Sequence, residues 1–153
     1  LTTIVILAIN TGMRKGEILS LNWNDVNLEN KVLTVDFQNA KSGNTRHIPL
    51  NTQAFNVLSD WQNLSGNIGY VFKDSNQQRI LDFRYDWAAL LEDASISDFR
   101  FHDLRHHFAS KLVMASVDLN TVRELPGHSD LKMTLRYAHL APEHKAAAVN
   151  LIG

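Results

Sequence analysis

The 153-residue sequence has no cysteine, which excludes disulfides and thiolate metal sites and fits a reducing compartment, so the cytoplasm is the expected location. It has no apolar run long enough to span a bilayer, so no membrane role is expected. It also has no excess of charge: 15 basic against 16 acidic residues leave a net charge of -1. There is no global field to attract nucleic acid, and any such binding would have to come from local clustering of Lys and Arg. No repeat or low-complexity linker interrupts the chain. The apolar run at residues 1–9 has neither an initiating methionine nor the charged start of a signal peptide, so a fragment of a longer protein is expected. What is present, 44% hydrophobic and 20% charged residues, is the make-up of one globular domain over residues 1–153.

Periodicity predicts an α+β fold that is mainly helical with a small three-stranded antiparallel sheet. The run at 1–9 is too continuous for an exposed helix and reads as a buried one, broken by Thr11-Gly12 before a helical pattern resumes over 13–21. Residues 31–37 and 45–50 alternate as strands around the turn-forming Ser42-Gly43-Asn44, which places Lys41 at a hairpin tip. A short third strand is expected at 69–72. Helices are predicted over 52–64 with Asn51 as cap, over 81–94 with Asp82 as cap, and over 102–115 with Leu104, Phe108, Leu112 and Ala115 as the buried stripe. Asp118 and Asp130 cap shorter helices, Pro126-Gly127 stops the first of these, and Pro142 opens a last helix over 143–152.

Several polar residues fall at element ends: Arg14, Lys41, His102, Arg105, His128 and Tyr137. His102 and Arg105 are three apart on a helix and share a face. Guanidinium forks pair phosphate oxygens, histidines move protons, and tyrosine offers a nucleophile. Each residue alone is an ordinary surface charge or satisfied side chain. The set, in order, is more specific.

Thr11-Gly12-Met13-Arg14-Lys15-Gly16-Glu17-Ile18, Lys41 in a hairpin, His102-Asp103-Leu104-Arg105-His106, Gly127-His128-Ser129 and Thr134-Leu135-Arg136-Tyr137-Ala138-His139 resemble the catalytic domain of tyrosine recombinases, the phage integrase family. The resemblance covers nearly the whole chain. It implies the DNA breaking-rejoining fold and site-specific recombination, by strand cleavage and rejoining through a covalent 3′-phosphotyrosyl intermediate, with no cofactor or metal. Under it Tyr137 attacks the phosphate, Arg14 and Arg105 neutralise its oxygens, and Lys41 protonates the 5′-oxygen. His102 takes the tyrosine proton, His128 hydrogen-bonds the phosphate, and Glu17 supports the site from behind.

The partner implied is double-stranded DNA, gripped by a homo-tetramer on recombining sites. The isolated chain, without the family's N-terminal DNA-binding module, is expected to be a monomer or weak oligomer. Arg46, Arg100, Lys111, Arg123, Lys132 and Arg136 are the remaining candidates for DNA-backbone contacts. Tyr70 and Tyr85 are expected to pack as core residues, and His106 and His107 to be structural or DNA-facing. The apolar last helix is expected to dock either on its own domain or on a neighbouring protomer.

One departure from the family pattern is Pro126, where a leucine is usual before Gly-His; a local shift near His128 is expected. Three other readings stay open. One is a Xer-type chromosome-dimer resolvase, and another is an inactive DNA-binding prophage remnant. The third is a zinc metallohydrolase built on the His102/His106 spacing, which leaves Arg14, Lys41 and Tyr137 without a role.

Overall fold

The computed structural model describes residues 1–36, 43–143 and 145–153. Lys41 and the tip of its hairpin lie outside the described residues.

The opening apolar run folds as α1 (Thr2–Thr11), whose Ile4, Leu7 and Ala8 are buried. It packs against α3 (Thr52–Ser65) and α5 (Asp103–Met114) and so forms the spine of the main core. Gly12 ends α1 in the left-handed region, with φ of 65°, and its amide donates to the Ala8 carbonyl at 3.0 Å. A side chain at Gly12 would collide with the ring of Phe108 on α5, so glycine here permits both the turn and the close approach of the two helices.

After the short α2 (Lys15–Leu19) the chain forms a three-stranded antiparallel sheet of β1 (Val26–Asn27), β2 (Val32–Val35) and β3 (Arg46–Pro49), in that order. Leu33, Val35 and Ile48 face the core. The expected third strand is displaced: residues 69–72 contribute only an isolated bridge from Tyr70 to Asn22, and β1 takes the place beside β2. Asn51 caps α3 as expected, its Oδ1 accepting from the Ala54 amide at 2.9 Å, and Trp61 on the same helix donates to the Val71 carbonyl at 2.7 Å.

The next helix, α4 (Arg84–Asp93), starts after Phe83, and Asp82 pairs with Lys15 and Arg84 while accepting from the Phe83 amide. Residues α6 (Leu119–Glu124) and α7 (Leu131–Leu135) are capped by Asp118 and Asp130, as predicted. A 3-10 turn (Ala138–Leu140) follows, and α8 (Lys145–Asn150) closes the chain. A second, smaller core joins Ala109, Val113 and Val122 to the ring of Tyr137.

The buried stripe of α5 is rotated from the expected one. Leu104, Arg105, Ala109 and Val113 are buried, Phe108 and Leu112 are half-buried, and Ala115 is exposed. The rotation follows from Arg105, whose charged end is accepted by main-chain oxygens inside the protein. Tyr85 is also corrected: it stands exposed on α4 and does not pack in the core. No described helix is long and apolar enough to cross a membrane.

Candidate active site

The site is built where three chain turns meet: the α1–α2 turn, the start of α5, and the turn between α6 and α7. Arg14 is the N-cap of α2 and Glu17 its N3 residue, and the Arg14 amide donates to Glu17 Oε2 at 2.9 Å. The same carboxylate, almost fully buried, binds two guanidiniums. Arg14 reaches Oε1 at 2.9 Å, and Arg46 forks across both oxygens at 3.2 and 2.6 Å. Burial works to raise the Glu17 pKa, but the Arg46 hydrogen bond and charge, with Arg14 behind them, hold the carboxyl below its ordinary value. Glu17 is therefore ionised and fixes the heads of both arginines.

Arg46 also donates to the Leu125 carbonyl at 3.2 Å, and Arg14 to the Gly127 carbonyl at 3.2 Å. The carboxylate and its arginines thereby tie α2 and β3 to the turn that carries His128. Arg46 was expected on the DNA face. Its side chain is instead only 10% exposed, and it acts from inside the protein.

Arg105 is buried. Its Nη1 donates to the Gly12 carbonyl at 2.9 Å and to the Pro126 carbonyl, while Nη2 has no hydrogen-bond partner among the described residues. Burial, then the charge of Arg14, lowers its pKa to about 10, which leaves it protonated at neutral pH. A buried cation with one unpartnered donor is set to take an anionic oxygen. Pro126 supplies the carbonyl that Arg105 uses, and its missing N–H removes nothing from that contact. The departure from the family pattern therefore leaves the acceptor in place.

Gly127 has φ of 76°, and a Cβ there would lie 2.8 Å from the Arg46 guanidinium carbon. Gly127→Ala is expected to cost about 1–2 kcal/mol through the left-handed backbone alone, and more through displacement of Arg46. Thermal unfolding of the variant checks this, and an unchanged midpoint would contradict the packing described.

His128 is buried, and its Nδ1 is 2.8 Å from Thr134 Oγ1 on α7. Burial and the charges of Arg105 and Arg14 push its pKa down to about 4, so the imidazole is neutral at physiological pH. Its ring lies nearly parallel to that of Tyr137, with centroids 6.2 Å apart and 12° between planes. Tyr137 follows α7 directly and is 8% exposed. Its hydroxyl meets Nδ1 of His106, where the sequence reading had placed His102. His102 is exposed at the start of α5, its ring edge-to-face with that of His106 at 4.9 Å. Burial, followed by the charges of His106, Arg105 and Arg14, lowers the His102 pKa.

Four of the six residues singled out in the sequence, Arg14, Arg105, His128 and Tyr137, thus gather around the turn at 126–128, with His102 at the rim. Among the other basic candidates, Arg100 and Arg136 are exposed and close enough to depress the His106 pKa by their charge, although burial is the larger cause. Arg123 walls a cleft of about 450 Å³ between β3 and α6 that reaches His128. Lys111 and Lys132 are exposed on α5 and α7.

Sequence reasoning missed the Arg46–Glu17 pair and the His106–Tyr137 contact. Alternation in β3 held a signal for the first, because Arg46 shares the strand face of buried Ile48. For the metal reading, no group of three or more His, Asp or Glu residues among those described is placed to hold an ion.

Comparison with known proteins places this arrangement. Integrase of Salmonella phage P22 is 36% identical over 155 residues, covering 94% of this chain and 40% of that protein. The chain thus spans less than half the length of this relative. The catalytic domain of bacteriophage HP1 integrase superposes with a TM-score of 0.75 at 29% identity, over 97% of this chain and 79% of that one. The integrase of the Tn1549 transposon, solved in complex with a circular intermediate DNA, superposes with a TM-score of 0.80 at 20% identity, over 99% of this chain and 58% of that one. Residues 1–144 match the phage integrase family, and the chain belongs to that family.

Proposed function

We propose that this chain cleaves and rejoins DNA strands in site-specific recombination, the chemistry of integration and excision, through a 3′-phosphotyrosyl intermediate. The observation that carries the reading is the gathering of Tyr137, two anchored arginines and a neutral histidine at one turn, one arginine keeping an Nη2 donor with no hydrogen-bond partner among the described residues. The DNA complex of the Tn1549 relative supports duplex DNA as the partner.

Arg14 and Arg105 face the charge that builds on the non-bridging oxygens as phosphorus becomes five-coordinate, and both are held before substrate arrives. Their carbonyl and carboxylate anchors hold the two like charges in place against their mutual repulsion. In the tautomer this role requires, Nδ1 of His128 accepts from the Thr134 hydroxyl and the proton sits on Nε2, from which His128 hydrogen-bonds a phosphate oxygen. Tyr137 Oη attacks the phosphorus and keeps the 3′-phosphate as an ester, so the bond energy is retained for rejoining and water is not needed.

Lys41 is assigned as the acid that protonates the 5′-oxygen leaving group. The family motif and the hairpin position of Lys41 in the sequence support this role. His102, at the exposed rim, is assigned to the phosphate or its flanking backbone. Arg100, Lys111, Arg123, Lys132 and Arg136 are assigned as contacts to neighbouring DNA phosphates.

The working form is a homo-tetramer on two DNA sites in the cytoplasm, with an N-terminal module completing the grip on DNA. Val149, Leu151 and Ile152 on and after α8 are exposed, and among the described residues no α8 side chain joins either core. Both facts support docking of this tail on a neighbouring protomer.

Incubation with a nicked suicide duplex in the presence of a chelator tests the reaction. A covalent protein–DNA adduct without added metal is expected. Strand cleavage that needs a divalent ion and leaves no adduct would overturn the proposal.

A further inference from the structure

Resting on the assignment of Tyr137 as nucleophile, we infer that His106 is the catalytic base that takes its proton. The Nδ1 of His106 meets the Tyr137 hydroxyl directly, and among the described residues that hydroxyl has no other hydrogen bond. His106 directly follows buried Arg105 on α5, a helix anchored by Leu104, Ala109 and Val113. The imidazole is therefore fixed relative to one arm of the phosphate clamp. Its ring is held on a second side by the edge of His102. His102 stands one helical turn earlier and is left to face the phosphate.

The charged and titratable groups around His106 come from every packed element. His102, Asp103 and Arg105 lie on or at the start of α5, Arg100 precedes it, His128 comes from the α6–α7 turn, and Arg136 and Tyr137 follow α7. Burial and the arginines favour neutral imidazole, and Asp103 opposes them. Neutral imidazole is the form that accepts a proton. Burial raises the Tyr137 pKa against the pull of Arg105 and Arg136, so the phenol needs a base to ionise at neutral pH.

In the step, the Tyr137 O–H proton passes to Nδ1 of His106 while an oxygen lone pair forms the O–P bond. The P–O5′ bond breaks, its electron pair stays on the 5′-oxygen, and that oxygen takes a proton from the protein's general acid, assigned above to Lys41. Rejoining reverses each transfer, and the His106 imidazolium returns the proton to the tyrosine.

Single-turnover adduct formation on the nicked suicide duplex, followed across pH in wild type, His106→Ala, His106→Asn and His102→Ala, tests this. His106→Ala is expected to slow the step by about 10²–10⁴-fold and to remove the acidic limb of the pH–rate profile, with DNA affinity retained. His106→Asn sets an amide oxygen where Nδ1 stands, so it keeps the hydrogen bond but takes no proton; equal slowing is expected. Restoration of the wild-type rate by asparagine overturns the assignment, because positioning alone would then suffice. So does an acidic limb that persists in His106→Ala and disappears in His102→Ala. An adduct on a tyrosine other than Tyr137 overturns the nucleophile assignment itself, whereas a Tyr137 adduct formed at the wild-type rate by His106→Ala overturns only the role of His106.

Discussion

Tyr137→Phe is expected to reduce covalent adduct formation to background, a loss on the order of 10⁴-fold or more, while DNA affinity stays within about twofold. The substitution removes one oxygen. The phenyl ring still fills the space between Ala109, Val113 and Val122 and still lies against His128. Arg14, Arg105 and His128 keep their own anchors in Glu17, main-chain carbonyls and Thr134, none of which involves the tyrosine. Among the described residues only the hydrogen bond to His106 is lost from the folded state, worth about 0.5–1.5 kcal/mol, so the variant should fold. An affinity measurement and an adduct gel on the same preparation separate binding from chemistry. A persistent adduct would show that another side chain attacks.

Glu17→Ala is expected to destabilise the protein by about 3–5 kcal/mol, on the order of 10 °C in the unfolding midpoint. The carboxylate is almost wholly enclosed and is the shared partner of Arg14 and Arg46, whose side chains are only 17% and 10% exposed. Removing it strands two cations inside the protein and also deletes the acceptor for the Arg14 amide at the start of α2. Among the described residues, Arg46 then has only the Leu125 carbonyl, and Arg14 only the Gly127 carbonyl.

Activity should fall further than stability alone requires, because Arg14 loses its fixed orientation toward the phosphate. Glu17→Leu combined with Arg46→Met should recover part of the stability, since only Arg14 and no longer Arg46 is left without its carboxylate. Additive losses in that double variant, measured by denaturant unfolding, would contradict the coupling.

The site residues that were legible in the sequence are those whose roles depend on local spacing. Arg14 opens a helix, His102 and Arg105 lie at the start of one helix, and Tyr137 comes just after a short capped helix. What was not legible depends on tertiary pairing. Glu17 and Arg46 are 29 residues apart, and nothing in local pattern shows that a strand residue will meet a helix carboxylate. The alternation of β3 contained the hint, since Arg46 lies on the same face as Ile48, but an arginine there reads as exposed until its partner is known. On α5 the apolar pattern placed Phe108 and Leu112 in the buried stripe beside Leu104, whereas the burial of Arg105 goes with Ala109 and Val113. The third strand was misplaced because residues 69–72 have strand composition but bridge only at Tyr70, while the two-residue β1 is too short to show a period.

The mechanism turns on one event, the joining of Tyr137 to a DNA 3′-phosphate. Its most direct measurement is peptide mapping by mass spectrometry of the adduct trapped on a nicked duplex. The expected result is a nucleotide remnant, linked through its 3′-phosphate, on the peptide that contains Arg136, Tyr137 and Ala138. A remnant on Tyr70, on Tyr85 or on a histidine, or a 5′-phosphate linkage, would contradict the account.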